Sequence, residues 1–158
     1  MNESANFGVV PPEVLRAYDG LSFLKAWSAG ELPAPPIQQT LGFTLAEAEP
    51  GRTVFRGTPE FRHYNPIGTV HAGFTAALLD SAVACAVHTT LAKGEAYTTL
   101  ELKLNLVRPI TDKTGPVSAE GRVVHRGRTM ATAEGYLKDG AGKLYAHAST
   151  TCMIFPGK

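Results

Sequence analysis

Apolar and polar residues alternate with a period of two along much of the second half of the chain. The clearest case is the stretch 97–108, where leucines occupy every second position between polar residues, a pattern typical of a β-strand with one buried face. Turn-forming residues separate such stretches, and a hairpin turn is expected at Asp-Gly-Ala-Gly, 139–142. The predicted strands span residues 43–49, 52–58, 97–108, 116–126, 129–138 and 143–155.

Two segments have the spacing of apolar residues, three or four positions apart, that favours a helix. The first is 11–29, where Gly20 weakens the prediction in the middle. The second is 70–91, a long apolar run that contains a single acidic residue, Asp80, and precedes a suitable terminator, Gly94. We therefore expect a helix near the amino terminus and a longer buried helix in the middle of the chain.

These elements follow one another as helix, two strands, long helix and four strands. Consecutive strands joined by short turns form an antiparallel sheet, so this order predicts an α+β fold in which the sheet wraps around the long helix. Three prolines, at positions 33, 35 and 36, predict an extended linker before the first strand. We accordingly divide the chain into an amino-terminal helix with a proline-rich linker, 1–36, and a main domain, 37–158.

Composition and charge narrow the class of protein. The chain has 158 residues, is 44% hydrophobic and carries a formal net charge of +1, which suits one soluble domain and gives no reason to expect binding to nucleic acid or to a membrane. The amino terminus has no basic stretch followed by an apolar run, so we expect a cytoplasmic protein. The two cysteines are far apart and the histidines lack ligand spacing, so no disulfide framework, metal or separate cofactor is expected.

Asp80 is the first candidate for chemistry. It lies in the middle of the long apolar helix, where an unpaired carboxylate is costly to bury. It is therefore either a structural acid that is hydrogen-bonded to a neighbour or a functional group, because burial raises the pKa of a carboxyl group and makes it a better base.

The start of the same helix offers groups of the opposite character. His71, Ala72 and Gly73 lie at its predicted N-terminus, where backbone N–H groups lack intrahelical partners and the helix dipole adds partial positive charge. Such a place stabilises a carbonyl oxygen as it becomes an oxyanion. His71 alone could equally be a helix cap, and Asn65, in the preceding loop, could be either a turn residue or a donor to the carbonyl.

The spacing of His71 and Asp80 constrains how they can cooperate. Nine residues of α-helix rotate by about 900°, which leaves the two side chains about 180° apart and separates them by about 13 Å along the axis. They cannot meet within one helix. If both serve one site, the carboxylate comes from a second copy of the chain, and we expect a homodimer with two shared sites.

A basic stretch completes the set of candidates. Between 103 and 128, six lysines and arginines stand against two acidic residues, and Arg126 and Arg128 flank Gly127 in a predicted turn. Arginines in this arrangement are suited to binding phosphate groups. A solvated strand face explains the same pattern, so both interpretations are kept.

Taken together, these residues resemble the signature of a known family. The sequence from Asn65 to Gly73, Asn-Pro-Ile-Gly-Thr-Val-His-Ala-Gly, followed by Leu-Asp ending at Asp80, is similar to that of the hotdog-fold acyl-CoA thioesterases. The closest resemblance is to the phenylacetic acid degradation (PaaI-like) branch of the 4-hydroxybenzoyl-CoA thioesterase superfamily. It covers about residues 37–155 and includes Thr-Thr-Leu-Glu-Leu at 98–102 and Val-Arg-Pro at 107–109.

The resemblance implies hydrolysis of an acyl-CoA to a free acid and CoA, in dimers that pair into tetramers, with CoA as part of the substrate. It also implies roles for residues at the long helix. Asn65 and the amides of Ala72 and Gly73 hold the thioester carbonyl, and His71 positions them. Asp80, reaching in from the facing subunit, acts as a base or a nucleophile.

Further expectations concern water, substrate and one departure from the family. Thr99 corresponds to a hydroxyl that helps to hold water in related enzymes. The family usually has His-Gly-Gly where this chain has His-Ala-Gly, and the added methyl of Ala72 is expected to narrow the acyl entrance. The residues expected to contact the substrate are Gly68, Arg108, Arg126, Gly127 and Arg128.

Two other functions are possible on the same fold. A hotdog hydratase would have an Asp-x4-His or a His-Phe-Pro-Gly pattern, but the residue five positions after Asp80 is Cys85. A non-catalytic acyl-CoA sensor would usually add a DNA-binding segment, but residues 1–36 are expected to form at most one helix and a proline-rich linker, which is too little for a helix-turn-helix. Thioester hydrolysis is therefore the function that the sequence favours.

Overall fold

The computed structural model describes residues 6–157. The helices are α1 (Pro12–Leu15), α2 (Gly20–Ser28), α3 (Pro36–Leu41) and α4 (Ala72–His88), and a 3₁₀ turn spans Phe61–His63. The strands are β1 (Phe43–Glu49), β2 (Arg52–Gly57), β3 (Ala96–Leu106), β4 (Val117–Arg126), β5 (Met130–Asp139) and β6 (Leu144–Phe155). The α+β fold that the sequence predicts is confirmed.

All six strands belong to one antiparallel sheet, in the order β1-β2-β4-β5-β6-β3. α4 packs against this sheet, mainly on β4, β2, β5 and β6, and its apolar side chains form the centre of the core. β1 and β3 are the two edges of the sheet. Of the helices between residues 6 and 157, none combines the length and the apolar character needed to cross a bilayer.

Two glycines let α4 approach the sheet closely. Gly121 of β4 and Gly135 of β5 are register partners. A Cβ on Gly121 would lie 2.2 Å from the Ala82 carbonyl oxygen, and a Cβ on Gly135 would lie 2.6 Å from a Val83 methyl carbon. The buried Thr53 hydroxyl donates to the same Ala82 carbonyl at 2.7 Å. These contacts fix the middle of α4, where the acidic residue lies, against the sheet.

The predicted helix over 11–29 is wrong in its middle. Asp19 separates α1 from α2, because its carboxylate accepts a hydrogen bond of 2.9 Å from the Ser22 N–H and so starts a new helix. Asp19 itself has an extended backbone, with φ −74° and ψ 163°. The segment therefore consists of one helical turn followed by a separate helix of nine residues.

The predicted extended linker is also wrong in part. α3 begins at Pro36, because proline is well accepted in the first turn of a helix, where its missing N–H has no intrahelical partner. It ends at Gly42, whose φ of 67° is the left-handed conformation that commonly terminates helices. Before α3 the linker keeps the extended backbone that the sequence predicts, since Ala34 forms a β-bridge with Phe7 and Pro35 has φ −60° and ψ 138°.

Candidate active site

His71 ends the loop before α4 and caps the helix with its own side chain. Its backbone is extended (φ −61°, ψ 139°), and its Nδ1 atom accepts a hydrogen bond of 2.8 Å from the Gly73 N–H. A Cβ at position 73 would lie 3.0 Å from that nitrogen, which is tighter than most real Cβ contacts. The glycine two residues after the histidine therefore leaves room for the capping ring.

This cap changes which amides face a ligand at the tip of α4. The Phe74 N–H donates to the His71 carbonyl at 3.0 Å, and the Gly73 N–H is taken by the His71 ring. No acceptor among residues 6–157 is hydrogen-bonded to the Ala72 N–H. Both Ala72 and Gly73 were expected to hold a carbonyl, but in this structure Ala72 offers the open donor.

His63 holds the tip of α4 in place, a role that the sequence did not reveal. Its carbonyl accepts from the His71 N–H at 2.7 Å, and its ring stacks on Phe74 with centroids 4.5 Å apart. Its Nδ1 atom accepts from the Glu60 N–H at 3.0 Å. The ring is buried, and this burial is the main cause that lowers the pKa of His63. A neutral imidazole thus ties the loop to the first turn of the helix.

Asn65 organises the loop that leads to this tip. Its Oδ1 atom accepts from the N–H groups of Ile67 and Thr69, each at 3.1 Å, and its Nδ2 atom donates to the Thr69 hydroxyl at 2.9 Å. Gly68 completes the turn with φ 85°, a conformation that other residues rarely adopt. The Asn65 amide has two hydrogens and this network uses one of them. Asn65 is therefore a turn residue that keeps a donor for a ligand.

A cleft of about 280 Å³ opens beside the start of α4. Asn65, Ala72 and Arg108 line it, and we call it the helix-tip cleft. Arg108 is exposed, and its Nη1 atom donates to the Leu144 carbonyl at 2.5 Å. The cleft thus combines two uncharged donors with a cation, a set suited to a carbonyl oxygen and a nearby anionic group.

Asp80 lines a second cleft, of about 420 Å³, which we call the Asp80 cleft. Thr99 of β3 lines it too, together with Phe23, Trp27 and His88. The Oδ1 atom of Asp80 is buried, and no side chain or amide within residues 6–157 is hydrogen-bonded to it. Burial raises the pKa of Asp80, and the nearby Thr99 hydroxyl opposes part of that increase.

The groups around Asp80 are neutral at physiological pH. Burial raises the pKa of the Cys85 thiol to about 12, raises that of Tyr97 well above its usual value, and lowers that of His88 to about 4. No lysine or arginine of the described chain contributes to the pKa of Asp80, so its carboxylate has no counter-ion. Between residues 6 and 157, no three histidine, cysteine or acidic side chains come together as metal ligands.

A β-bulge turns Thr99 toward this cleft. The pairing of β3 with β6 shifts register between Thr99 and Glu101, which makes Leu100 the extra residue. Before the bulge the less exposed face of β3 carries the odd-numbered residues Tyr97 and Thr99. After the bulge it carries an even-numbered residue, Leu102. The even alternation of leucines predicted one buried face along the whole strand, and that prediction is wrong at Leu100 and Leu106, which are 57% and 51% exposed.

The proposed catalytic groups therefore form two sets within one chain. Asn65 and Ala72 line the helix-tip cleft, Asp80 and Thr99 line the Asp80 cleft, and the two clefts share no residue. This separation agrees with the rotation of about 180° between positions 71 and 80 along the helix. The shared site between two chains stays a prediction.

The turn between β4 and β5 belongs to neither cleft. Arg126 donates to the Glu95 carboxylate at 2.7 Å and also to the Gly127 carbonyl, so its guanidinium is engaged within the chain. The Gly127 N–H closes the turn on the Met130 carbonyl at 2.8 Å. Arg128 is exposed and makes no ion pair with any residue that the structure describes. Of these two arginines, Arg128 is the one with a free cation.

Comparison with known proteins connects this geometry to a family. The thioesterase superfamily matches residues 67–146, which include the tip of α4 and Asp80. Human acyl-coenzyme A thioesterase 13 is 30% identical over 118 residues, which cover 73% of this chain and 82% of the human protein.

Solved structures give the same result. A phenylacetic acid degradation-related protein from Ralstonia eutropha, described as a thioesterase, is 32% identical with a TM-score of 0.75, over 83% of this chain and 98% of that one. The PaaI protein from the phenylacetic acid degradation operon of E. coli has a TM-score of 0.75 at 19% identity, over 89% of this chain and 97% of that one. At that lower identity the likeness is one of fold.

Proposed function

The chain belongs to the thioesterase superfamily and is a thioester hydrolase with a hotdog fold of the PaaI-like kind, and we propose that it cleaves an acyl-CoA to the free acid and CoA. The acyl group is an aryl group or a short to medium chain. The observation that supports this proposal best is the Asp80 carboxylate, which is partly buried, has no counter-ion and lies beside the Thr99 hydroxyl.

In the proposed reaction the thioester carbonyl lies at the helix tip of one subunit. Its oxygen accepts hydrogen bonds from the Ala72 N–H and from the second Nδ2 hydrogen of Asn65, and the α4 dipole adds to the positive potential there. These donors favour the oxyanion that forms when the carbonyl is attacked, because preorganised donors stabilise charge that develops in the transition state. His71 acts by capping the helix and so positions the Ala72 amide.

The partner subunit's Asp80 supplies the base. It takes a proton from a water molecule that Thr99 helps to hold, and the water oxygen forms a bond to the carbonyl carbon. The oxyanion then collapses, the C–S bond breaks and CoA leaves as a thiolate, which receives the proton from the carboxyl group. A base with a raised pKa suits this step, since proton transfer is most effective when the pKa is near the working pH.

The dimer in this proposal has structural support from the edge of the sheet. β3 lacks a neighbour on one side, and its Leu100 and Leu106 are 57% and 51% exposed. An apolar edge strand tends to pair with another strand. Pairing of β3 with its own copy would place the two Asp80 clefts near the interface, and we propose that such dimers associate further into tetramers.

The CoA phosphates require cations outside the reacting centre. Arg108 lines the helix-tip cleft and Arg128 is free at the β4–β5 turn, so these two residues are proposed to contact the nucleotide end of the substrate. Arg126 is proposed to act there indirectly, since it is paired with Glu95 and bonded to Gly127.

Two variants test the assignment of roles. Asp80→Asn removes the base and is expected to lower kcat for an acyl-CoA by about 100-fold or more. Ala72→Pro removes a single N–H at the first helical position, where proline fits, and His71 already has the extended backbone that a following proline requires. It is expected to lower kcat by about 100-fold, the usual effect of losing an oxyanion donor.

Mixing these two inactive variants tests the shared site. Random association gives about half mixed dimers, each with one intact site out of two, so about a quarter of the wild-type activity should return. If the mixture stays inactive although mixed dimers form, the site lies within one chain and the proposed arrangement is wrong. Single turnover in ¹⁸O water separates a base from a nucleophile, because only a covalent route places the label in the Asp80 carboxylate.

A further inference from the structure

Part of the Asp80 cleft is lined by residues that precede the segment matching the family model. That match begins at residue 67, yet Phe23 and Trp27 of α2, together with Pro35, line the cleft with Asp80. The amino-terminal segment therefore helps to shape the space into which the proposed carboxylate faces.

α2 is held tightly on the C-terminal end of α4. The Gly20 N–H donates to the Leu91 carbonyl at 2.9 Å. A Cβ on Gly20 would lie 1.6 Å from the His88 carbonyl oxygen, so the contact requires a residue without a side chain. Asp19 caps the first turn of α2 through the Ser22 N–H. The helix is thus a fixed part of the domain, with its first residue against α4.

Phe23 and Trp27 make different contacts from this position. Phe23 is half-buried, and its ring stacks on His88 with centroids 5.2 Å apart and an interplanar angle of 24°. Trp27 is 9% exposed and packs against Phe55 in the core, with ring centroids 6.0 Å apart. Phe23 packs only against the edge of the core, so changing it at the cleft disturbs the core less than changing Trp27 would.

Two residues of α4 that line the cleft give its extent along the helix. Asp80 and His88 both line it, and eight residues of helix place them about 12 Å apart along the axis. An acyl group whose carbonyl lies at the Asp80 end would extend along α4 toward His88 and Phe23. The side chains on that path include Ala84, which is small, and Tyr97.

We propose, on the basis of the function proposed above, that α2 closes the acyl end of the site and that Phe23 sets the upper limit on the length of the acyl group. A chain that reaches the stacked pair of Phe23 and His88 meets both rings, and it can continue along α4 only if α2 moves away from α4. That movement would break the Gly20 hydrogen bond to Leu91. The path of about 12 Å from Asp80 to the stacked pair therefore accepts an aryl or short to medium acyl group and excludes a long one.

A linear series from acetyl-CoA to palmitoyl-CoA tests this limit. For the wild type, kcat/KM should fall once the chain exceeds the length of the cleft. Phe23→Ala removes the ring and should raise kcat/KM for the longer substrates, relative to butyryl-CoA, by about 10-fold or more, the scale at which hydrophobic pockets discriminate chain length. Phe23→Trp adds volume and should move the limit to shorter chains, so the two variants give opposite shifts.

The matched control is Lys25→Ala, because Lys25 lies on α2 with an exposed side chain and should leave the chain-length profile unchanged. An unaltered profile in both Phe23 variants would overturn the proposal, whatever the absolute activity. If Phe23→Ala does not fold, the shift in Phe23→Trp decides. The function proposed above is tested separately by Asp80→Asn. If that variant loses activity while the Phe23 variants keep the wild-type chain-length profile, Asp80 remains the base and only the role of Phe23 is wrong.

Discussion

The Gly73 N–H and the Nδ1 atom of His71 form a hydrogen bond of 2.8 Å across the first turn of α4. The bond engages one of the two amides that the sequence places at the helix tip and leaves the Ala72 N–H open. Because Nδ1 accepts this bond, the ring N–H that remains is at Nε2. His71 therefore shapes the tip by capping it, and its neighbours make the proposed contact with substrate.

If capping is the role of His71, another capping residue should replace it. His71→Ala should lower the free energy of unfolding by about 1 kcal/mol and also lower kcat, because the first turn loses its fixed geometry. His71→Ser should recover most of both, since serine is a strong N-cap residue. Urea unfolding and steady-state kinetics measure the two effects. Recovery of stability without recovery of kcat would show that the imidazole itself is needed.

Asp80→Asn should make the protein more stable while it removes activity. Burial raises the pKa of Asp80 in the folded state, so above that pKa the ionised carboxylate favours the unfolded chain. An amide of the same shape avoids this penalty, and we expect a gain of about 1 kcal/mol at pH near 8. The gain should shrink as the pH falls through the pKa of Asp80. Equal stability of the two proteins at all pH values would contradict the burial of this charge.

Thr99→Val should move the pH dependence of catalysis. The base must be ionised, so kcat falls as the pH drops through the pKa of Asp80, which burial places above 3.8. Loss of the Thr99 donor removes the effect that lowers this pKa, so the acid limb of the profile should shift to higher pH. Thr99→Ser keeps the hydroxyl and should keep the wild-type profile. The neutral groups nearby, Cys85 and Tyr97, do not titrate over this range.

His88 should make folding sensitive to acid. Its pKa is about 4 in the folded protein, against 6.5 without the surrounding structure. As the pH falls below 6.5 the unfolded chain takes up the proton first, so stability declines until about pH 4. The total loss should be roughly 3 kcal/mol. Urea unfolding over the same pH range should show a weaker dependence of stability on pH for His88→Gln than for the wild type. Asp80 affects stability in the opposite direction, but it does so equally in both proteins.

The two arginines of the β4–β5 turn should differ when replaced. Arg128→Ala should raise KM for an acyl-CoA several-fold and leave KM unchanged for an acyl pantetheine thioester, which lacks the nucleotide phosphates. Arg126→Gln should instead lower stability, by about 1 kcal/mol, because it removes the pair with Glu95, whose side chain is only 20% exposed. A rise in KM on the CoA substrate alone, without loss of stability, would assign Arg126 to the substrate directly.

The sequence predicts the strands, the long helix and the placement of His71 and Asp80 on opposite sides of that helix. Each of these follows from a repeat of residues that are close together in the sequence. Alternation predicts the strands, and rotation along one helix separates the two residues. The exposure of Leu100 could not be predicted in this way. The bulge depends on the partner strand, where the buried Thr150 hydroxyl donates to the Glu101 carbonyl at 2.7 Å, and such a contact leaves no pattern within β3.

The parts of the site that the sequence missed are likewise products of tertiary structure. His63 acts through a carbonyl hydrogen bond to His71 and a ring stacked on Phe74, and neither contact has a sequence motif. The contribution of Phe23 to the Asp80 cleft depends on where α2 packs. Gly20 was interpreted as a weakness in a helix, whereas it is the residue that lets α2 dock, with its N–H on the Leu91 carbonyl.

The contact between Gly20 and the His88 carbonyl also bears on how such an enzyme diverges over evolutionary time. α2 can pack against α4 because Gly20 has no side chain. One substitution at this position would therefore release α2, while Asp80, Thr99 and the helix tip keep their places. In this proposal one determinant of selectivity, Phe23 of α2, is thus encoded apart from the catalytic residues. A lineage can therefore acquire a new acyl preference through changes in the codons for α2 without passing through an inactive ancestor.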